Sequence, residues 1–527
     1  MLAKGWDYVV IGAGAAGCVV AGRLSEMLPA ARIALIEAGR ERLGLTTKVP
    51  GIAFIASTFA RQNWNYQTEP VPALNGRRLS WFQGRILGGS SSINGMLYLR
   101  GHSLEYDQWA QRGCQGWSFD QVLPYFKKAE TNSRGAGEWH GDDGPMAVKQ
   151  SRLDLPICDA FLAAAGESGY PVVDDLNTDV VEGFGRIDTN IGNGRRTSAA
   201  VAFAQAGRRR GNLDLLSEAI AARIVIEKGR VKGVEIIRQG VRETVWAERE
   251  VILCGGTVNS PQLLMLSGVG PSAHLTSLGI PLVLDAPEVG RNLQNHPSYS
   301  LRYACSQPVT AYKYLNPAAA IGMGLRYALT GGGSLAESYV ATGGYMRSDP
   351  SLAVSDTIVV MIPALVTRSG VGFRLRDLFP ERHGFTVLVG SGRPLSRGHI
   401  RAAQRRPNNA SADLPGIFLG AGGSALPSAV GATDARHDGR VGDTRPDRSR
   451  ACSRPDRQRP GVDRGGYPRP RRDLLPSERH LPHGHRPDRR RRSAAARQWH
   501  RGPACRRRFD HARRSQRLHA CTDDHDR

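Results

Sequence analysis

The feature that most constrains this chain is a strand–turn–helix–strand unit at its start. Tyr8–Ile11 is a short apolar, β-prone run; Gly12-Ala13-Gly14-Ala15-Ala16-Gly17 follows, then the small-residue pattern Cys18–Leu24. A second apolar run, Arg32–Ile36, ends at Glu37. Each glycine has a distinct expected use: Gly12 permits the tight turn, Gly14 lets backbone approach a pyrophosphate, and Gly17 lets helix and strand close up. The helix N-terminus offers unpaired N–H groups and a positive dipole end to phosphate. Glu37 lies about 20 residues beyond the turn, where a carboxylate accepts hydrogen bonds from ribose hydroxyls, which argues against a 2′-phosphate. This predicts an α/β dinucleotide-binding fold and leaves FAD and NAD undistinguished.

The chain's 527 residues suffice for two or three domains. Its net charge of +23 would ordinarily suggest a nucleic-acid or anionic-membrane partner. Position argues otherwise, because roughly two thirds of that excess lies after Arg405, in runs such as Arg489–Arg492 and Arg506–Arg508. No nucleic-acid partner is therefore expected for the body. The eight cysteines are scattered with no CxxC pair, which points to reduced thiols and a cytoplasmic location. No apolar run approaches the ~20 residues of a membrane span, which leaves peripheral membrane contact open.

Two further segments bear on the cofactor. Gly84-Arg85-Ile86-Leu87-Gly88-Gly89-Ser90-Ser91-Ser92-Ile93-Asn94-Gly95 resembles the first signature of the glucose–methanol–choline (GMC) oxidoreductases, and residues 255–270 resemble the second. Asn63–Tyr66, Leu123–Phe126, Val289–Gln294 and Pro394–Gly398 are also family-like. The resemblance spans about residues 5–400 and is nearest the choline and alcohol dehydrogenase branch. It implies FAD as cofactor, a small-molecule alcohol as substrate, and a quinone or another non-oxygen electron acceptor. The implied cofactor-binding residues are Gly12, Gly14, Ala15, Gly17, Glu37, Ala38, Arg85, Gly88, Gly89, Ser90, Asn94, Gly95, Met96 and Ala221. Of these, Asn94 to Met96 would run beside the isoalloxazine ring, and Ala221 stands where a valine often contacts the adenine. Relatives that tether FAD covalently place a histidine where this chain has Ile93, so FAD is expected to be non-covalent. In the second segment, Asn259 or Ser260 is expected to cap a helix opened by Pro261.

GMC enzymes oxidise an alcohol to an aldehyde: a histidine accepts the hydroxyl proton and hydride passes to flavin N5. The family's base lies in a C-terminal motif like Tyr-His-Pro-x-Gly-Thr, which is absent here, so no catalytic residue is assigned. The chain changes character near Arg405. Beyond Arg406 there is no lysine, no methionine, one isoleucine (Ile417) and one glutamate (Glu478). Back-translated and read one nucleotide further on, Gln516–His525 can spell Ser-Gly-Tyr-Thr-His-Ala-Pro-Thr-Ile-Met. Treated likewise, the stretch around His480–His485 can give Ile-Tyr-His-Thr-Gly-Thr. Both are family-like and in the right order. A single-nucleotide frameshift near Gln404–Arg406 would explain this and leave a catalytically inactive product able to bind FAD. The alternative is a genuine arginine-rich arm that binds anionic partners. Its composition cannot bury a core, so 405–527 is expected to be disordered. No Cys/His spacing matches a zinc site, and no metal is expected.

The expected architecture is a discontinuous FAD-binding Rossmann-like domain from 1–150 and 211–300. A substrate domain of antiparallel sheet and helices would come from 151–210 and 301–404.

Overall fold

The computed structural model describes residues 5–53, 61–179, 182–366, 383–403 and 417–422. All lie in the compact unit Met1–Asp438.

The first sheet starts from the predicted unit. Strand β1 (Trp6–Ile11) leads into helix α1 (Ala15–Met27) and returns in β2 (Ile33–Ile36). Later segments add β3 (Leu213–Leu216), β4 (Ala219–Glu227), β5 (Arg230–Arg238) and β6 (Val241–Leu253), followed by helix α2 (Gly256–Leu266). The strand order is β3-β2-β1-β6-β5-β4. β6 changes partner along its length. Val241 to Trp246 pair antiparallel with β5, and Ala247 to Leu253 pair parallel with β1. One strand thus belongs both to the parallel layer of β1 to β3 and to an antiparallel meander.

Period-2 alternation sends β1 and β2 side chains to both faces. Val10, Ile33 and Leu35 meet Cys18 and Ala21 of α1 and Phe203. Val9, Ile11, Ala34 and Ile36 meet Ile224, Val234, Val245 and Leu263. Burial on both faces explains why these strands read as continuous apolar runs.

The second sheet is antiparallel throughout, in the order Ser298–Ala304, Gly384–Ser391, Thr357–Ile362, Thr342–Met346, Gly183–Arg186. Helix Pro156–Glu167 lies on one face, where Cys158 and Ala165 meet Met361, Phe184 and Val359. The other face brings Val340, Ile362 and Leu388 against Leu97 and Leu99, just after the Asn94–Met96 turn. The fold is therefore α/β with an antiparallel second sheet.

Two expectations need correction. The helix after β6 is not opened by Pro261: it starts at Gly256, and Pro261 sits inside it. Gly256, at φ +82°, turns the chain into the helix early, and the proline costs one helical hydrogen bond. Asn259 is not a cap; its Oδ1 accepts from the Tyr66 hydroxyl at 2.6 Å. Within 405–527, a stretch expected to be disordered, the described residues Ile417–Gly422 pair antiparallel with Arg397–Ala402. Ile417-Phe418-Leu419 is an apolar, β-prone run in that stretch, and pairing satisfies its backbone polar groups. The remainder of the tail, including His480–His485 and the proposed frame break, lies outside the described residues.

Among the described residues, no helix is long and apolar enough to cross a membrane. The five described cysteines, Cys18, Cys114, Cys158, Cys254 and Cys305, are free.

Candidate functional site

The turn between β1 and α1 has the backbone the glycines imply. Gly12 takes φ +96°, and a Cβ there would lie 2.5 Å from the Cys254 carbonyl oxygen. A Cβ on Gly17 would collide with the Gly12 carbonyl. Gly14 is different: a Cβ there would meet nothing within 4 Å, so its outer side is open. No side chain caps α1 at Gly14, and Ala15 and Ala16 are exposed. The helix therefore presents bare N–H groups to the open space beside Gly14.

The second glycine pair completes this cradle. Gly88 (φ +89°) and Gly89 (φ +52°) bend the chain back on itself, and Gly88 N–H donates to the Ala13 carbonyl at 2.7 Å. A Cβ on Gly89 would lie 2.7 Å from the Gly14 Cα. The two glycine turns, 75 residues apart in sequence, thus touch backbone to backbone. Only glycine permits both the left-handed φ and that approach. The serines divide their work. Ser91 Oγ donates to the Gly88 carbonyl at 2.6 Å and Ser92 Oγ to the Leu87 carbonyl at 2.7 Å, which holds the turn. Ser90 stays exposed, with Oγ accepting from Gly84 N–H at 3.1 Å.

Glu37 is buried at the end of β2. It accepts from Ala13 N–H at 3.1 Å and Gly39 N–H at 2.8 Å. Burial pushes its carboxyl up to about 7, against the opposing pull of those N–H donors and of Arg85. Arg85 also stacks over Trp64 at 4.9 Å. Ala38 is half-buried beside Glu37. Ala219 N–H donates to the Glu37 carbonyl at 2.9 Å, so the strand carrying Ala221 starts alongside the acidic residue. Sequence reasoning missed Gly39, where a Cβ would collide with the Arg85 carbonyl. Its signal was a glycine two residues past the acid.

The Asn94–Met96 turn is held by residues from three other segments. Met96 adopts φ +64° although it is not glycine, and it is fully buried with Ala53 and Ile191. Its N–H donates to Asn94 Oδ1 at 3.1 Å. The Gly95 carbonyl accepts from Ser338 Oγ at 2.8 Å, and the Met96 carbonyl from Asn190 N–H at 3.1 Å. The Asn94 carbonyl accepts from Arg196 at 2.7 Å. Arg196 was not anticipated. Ile93, the position of a tethering histidine in some relatives, is buried in the core under α1.

Four of the six described histidines are engaged elsewhere. His102 Nδ1 accepts from Leu104 N–H, His296 Nδ1 faces the Ser391 carbonyl, and His383 faces Thr310. His140 is buried between Glu130 (2.9 Å) and Asp175 (2.7 Å). His140, Asp175 and Asp188 offer ligand atoms within 4.8 Å of one another, a spacing that suits a metal ion. The cluster already contains its own cations. Arg134 reaches Asp174, Asp175 and Asp188, and the two carboxylates hold His140 up to about 9 despite burial.

The two glycine turns meet in one backbone cradle, with the buried Glu37 tied to Ala13 beside it and the constrained Asn94–Met96 turn, exposed at Asn94, a few residues further along the chain. Comparison with known proteins places this geometry. Residues 6–298 match the family model described as GMC oxidoreductase. The chain is 38% identical over 411 residues to "Choline dehydrogenase, mitochondrial" of Homo sapiens, covering 77% of this chain and 68% of that protein. It is 39% identical over 413 residues to "Oxygen-dependent choline dehydrogenase" of Burkholderia multivorans, covering 77% and 72%. The pyridoxine 4-oxidase structure from Mesorbium loti superposes with a TM-score of 0.67 at 28% identity, covering 79% and 75%. Formate oxidase of Aspergillus oryzae RIB40, at 24% identity and a TM-score of 0.71 over 79% and 77%, shares the fold.

Proposed function

Because this chain belongs to the GMC oxidoreductase family, we propose that its body holds FAD non-covalently and serves FAD-dependent oxidation of a small alcohol to an aldehyde. The observation that carries the cofactor assignment is the contact between Gly89 and Gly14 beside an uncapped helix start. It fits a dinucleotide pyrophosphate pressed against backbone N–H groups.

In this reading Gly14, Ala15, Gly88, Gly89 and Ser90 bind the phosphates. Glu37 accepts from ribose hydroxyls, with Ala38 and Ala221 along the adenosine side. Asn94, Gly95 and Met96 face the reacting ring. Bound FAD would supply the hydride acceptor, at N5. Ile93 offers no nucleophile for a tether, which supports non-covalent binding. We divide the body accordingly: 1–150 and 211–300 for FAD, 151–210 and 301–404 for substrate.

The alcohol is proposed at class level, from relatives named for choline. The acceptor is open to assay, since quinone was expected while one relative is named oxygen-dependent. We also propose a cytoplasmic or peripheral membrane location.

A second reading is favoured by the composition break at Arg405. A frame-displaced tail lacks the family's histidine motif, and the protein then binds FAD without turnover. One experiment addresses both readings. The full chain is mixed with FAD, desalted and examined for flavin absorbance, then denatured to see whether flavin leaves the polypeptide. Choline and primary alcohols are assayed with and without oxygen and with an artificial acceptor. The gene restored by one nucleotide near codon 405 is tested beside it. Absence of flavin in both proteins refutes the cofactor assignment. Flavin in both with turnover only in the restored protein supports the second reading.

A further inference from the structure

The segment 190–199 clamps the segment 91–96 at several points, and Arg196 is the centre of the clamp. Its Nε donates to the Thr47 carbonyl at 3.0 Å, Nη1 to the Ser91 carbonyl at 3.1 Å and to Asn94 Oδ1 at 2.5 Å, and Nη2 to the Asn94 carbonyl at 2.7 Å. Only 4% of Arg196 is exposed, and no carboxylate is paired with it among the described residues. A buried cation without a counter-ion is costly unless its charge is used. Burial lowers the guanidinium to about 10, still far above neutral, so it stays charged.

The bonds around the turn leave one group over. The three carbonyls of Asn94, Gly95 and Met96 accept from Arg196, Ser338 and Asn190. Asn94 N–H donates to the Ser90 carbonyl and Met96 N–H to Asn94 Oδ1. Among the described residues, Gly95 N–H has no acceptor. A turn with every carbonyl tied back into the protein presents a donor, backed by a buried positive charge.

We propose that Arg196 is a positioning residue: it holds the Asn94–Met96 turn so that Gly95 N–H faces an electron-rich edge of bound flavin, and its charge stabilises the reduced, anionic form. This rests on the FAD reading given above and goes beyond it by assigning the residue that tunes the cofactor. The contacts of Arg196 are to Thr47, Ser91 and Asn94. It acts through Asn94.

The test uses the full chain loaded with FAD, comparing wild type with Arg196→Met and Arg196→Lys. The readouts are the flavin midpoint potential, the visible spectrum of bound flavin and the melting temperature. Arg196→Met is expected to lower the midpoint potential and alter the flavin spectrum. Arg196→Lys, which keeps the charge but loses the fork, is expected to recover part of the potential while melting at a lower temperature than wild type. Should Arg196→Met fail to fold, Asn94→Ala takes its place. It removes the Oδ1 acceptor used by both Arg196 and Met96, and a downward shift is again expected. An unchanged potential and spectrum in a flavin-loaded variant overturns the proposal. A wild type that takes up no flavin overturns the underlying FAD reading instead, so the two failures are distinct.

Discussion

Replacing His140 with glutamine should remove a defined part of the pH dependence of stability. Both ring nitrogens of His140 face carboxylates, Glu130 at 2.9 Å and Asp175 at 2.7 Å, so the protonated imidazole donates twice. These carboxylates hold its pKa up from 6.5 to about 9, although burial pulls the other way. A group whose folded pKa is raised stabilises fully below its unfolded value and loses that contribution as pH climbs through the folded one. The window therefore runs from pH 6.5 to about 9. Taken at face value the interval is worth about 3 kcal/mol. Arg100 already pairs with Glu130 at 2.7 Å, and Arg134 shares Asp175 and Asp188. Competition from these cations brings the net contribution to about 1–2 kcal/mol. At about 2 °C per kcal/mol for a domain of this size, wild type should lose a few degrees across the window. His140→Gln should melt below wild type at the acidic end and converge with it at the alkaline end. Tryptophan fluorescence melts across the window measure both curves. Parallel curves, or a gap that widens with pH, would refute the assignment of a doubly donating imidazole.

Other outcomes follow from the same geometry. Gly89→Ala sets a Cβ 2.7 Å from the Gly14 Cα at a left-handed φ, and should weaken FAD uptake at least about tenfold by flavin titration. Arg100→Met should cost about 3–5 kcal/mol in a denaturant titration, because it leaves the fully buried Glu130 with His140 as its remaining cation. Deleting residues 423–527 should abolish salt-sensitive retention on heparin if the tail is a basic arm; retention that survives deletion would assign the charge effect to the body.

Local chemistry explains what was legible early. The Gly12–Gly17 turn and the Gly88–Gly89 bend are set by backbone sterics within a few residues, so residue type alone announces them. Short continuous apolar runs announced β1 and β2 for the same reason. The helix after β6 was misjudged because Gly256 starts it upstream of the proline that looked like its first residue.

The sequence by itself determined that the chain would begin with a βαβ unit around a glycine turn, that it resembles the GMC oxidoreductases, and that its composition changes near Arg405. Only the tertiary structure decided which groups those turns leave unsatisfied. The Gly89–Gly14 contact, the Arg196 clamp on Asn94 and the enclosure of His140 between Glu130 and Asp175 join residues 75, 102, 10 and 35 positions apart. The physical reason is that hydrogen-bond satisfaction of a buried group is a property of everything packed around it, and a linear pattern records only the group's neighbours along the chain.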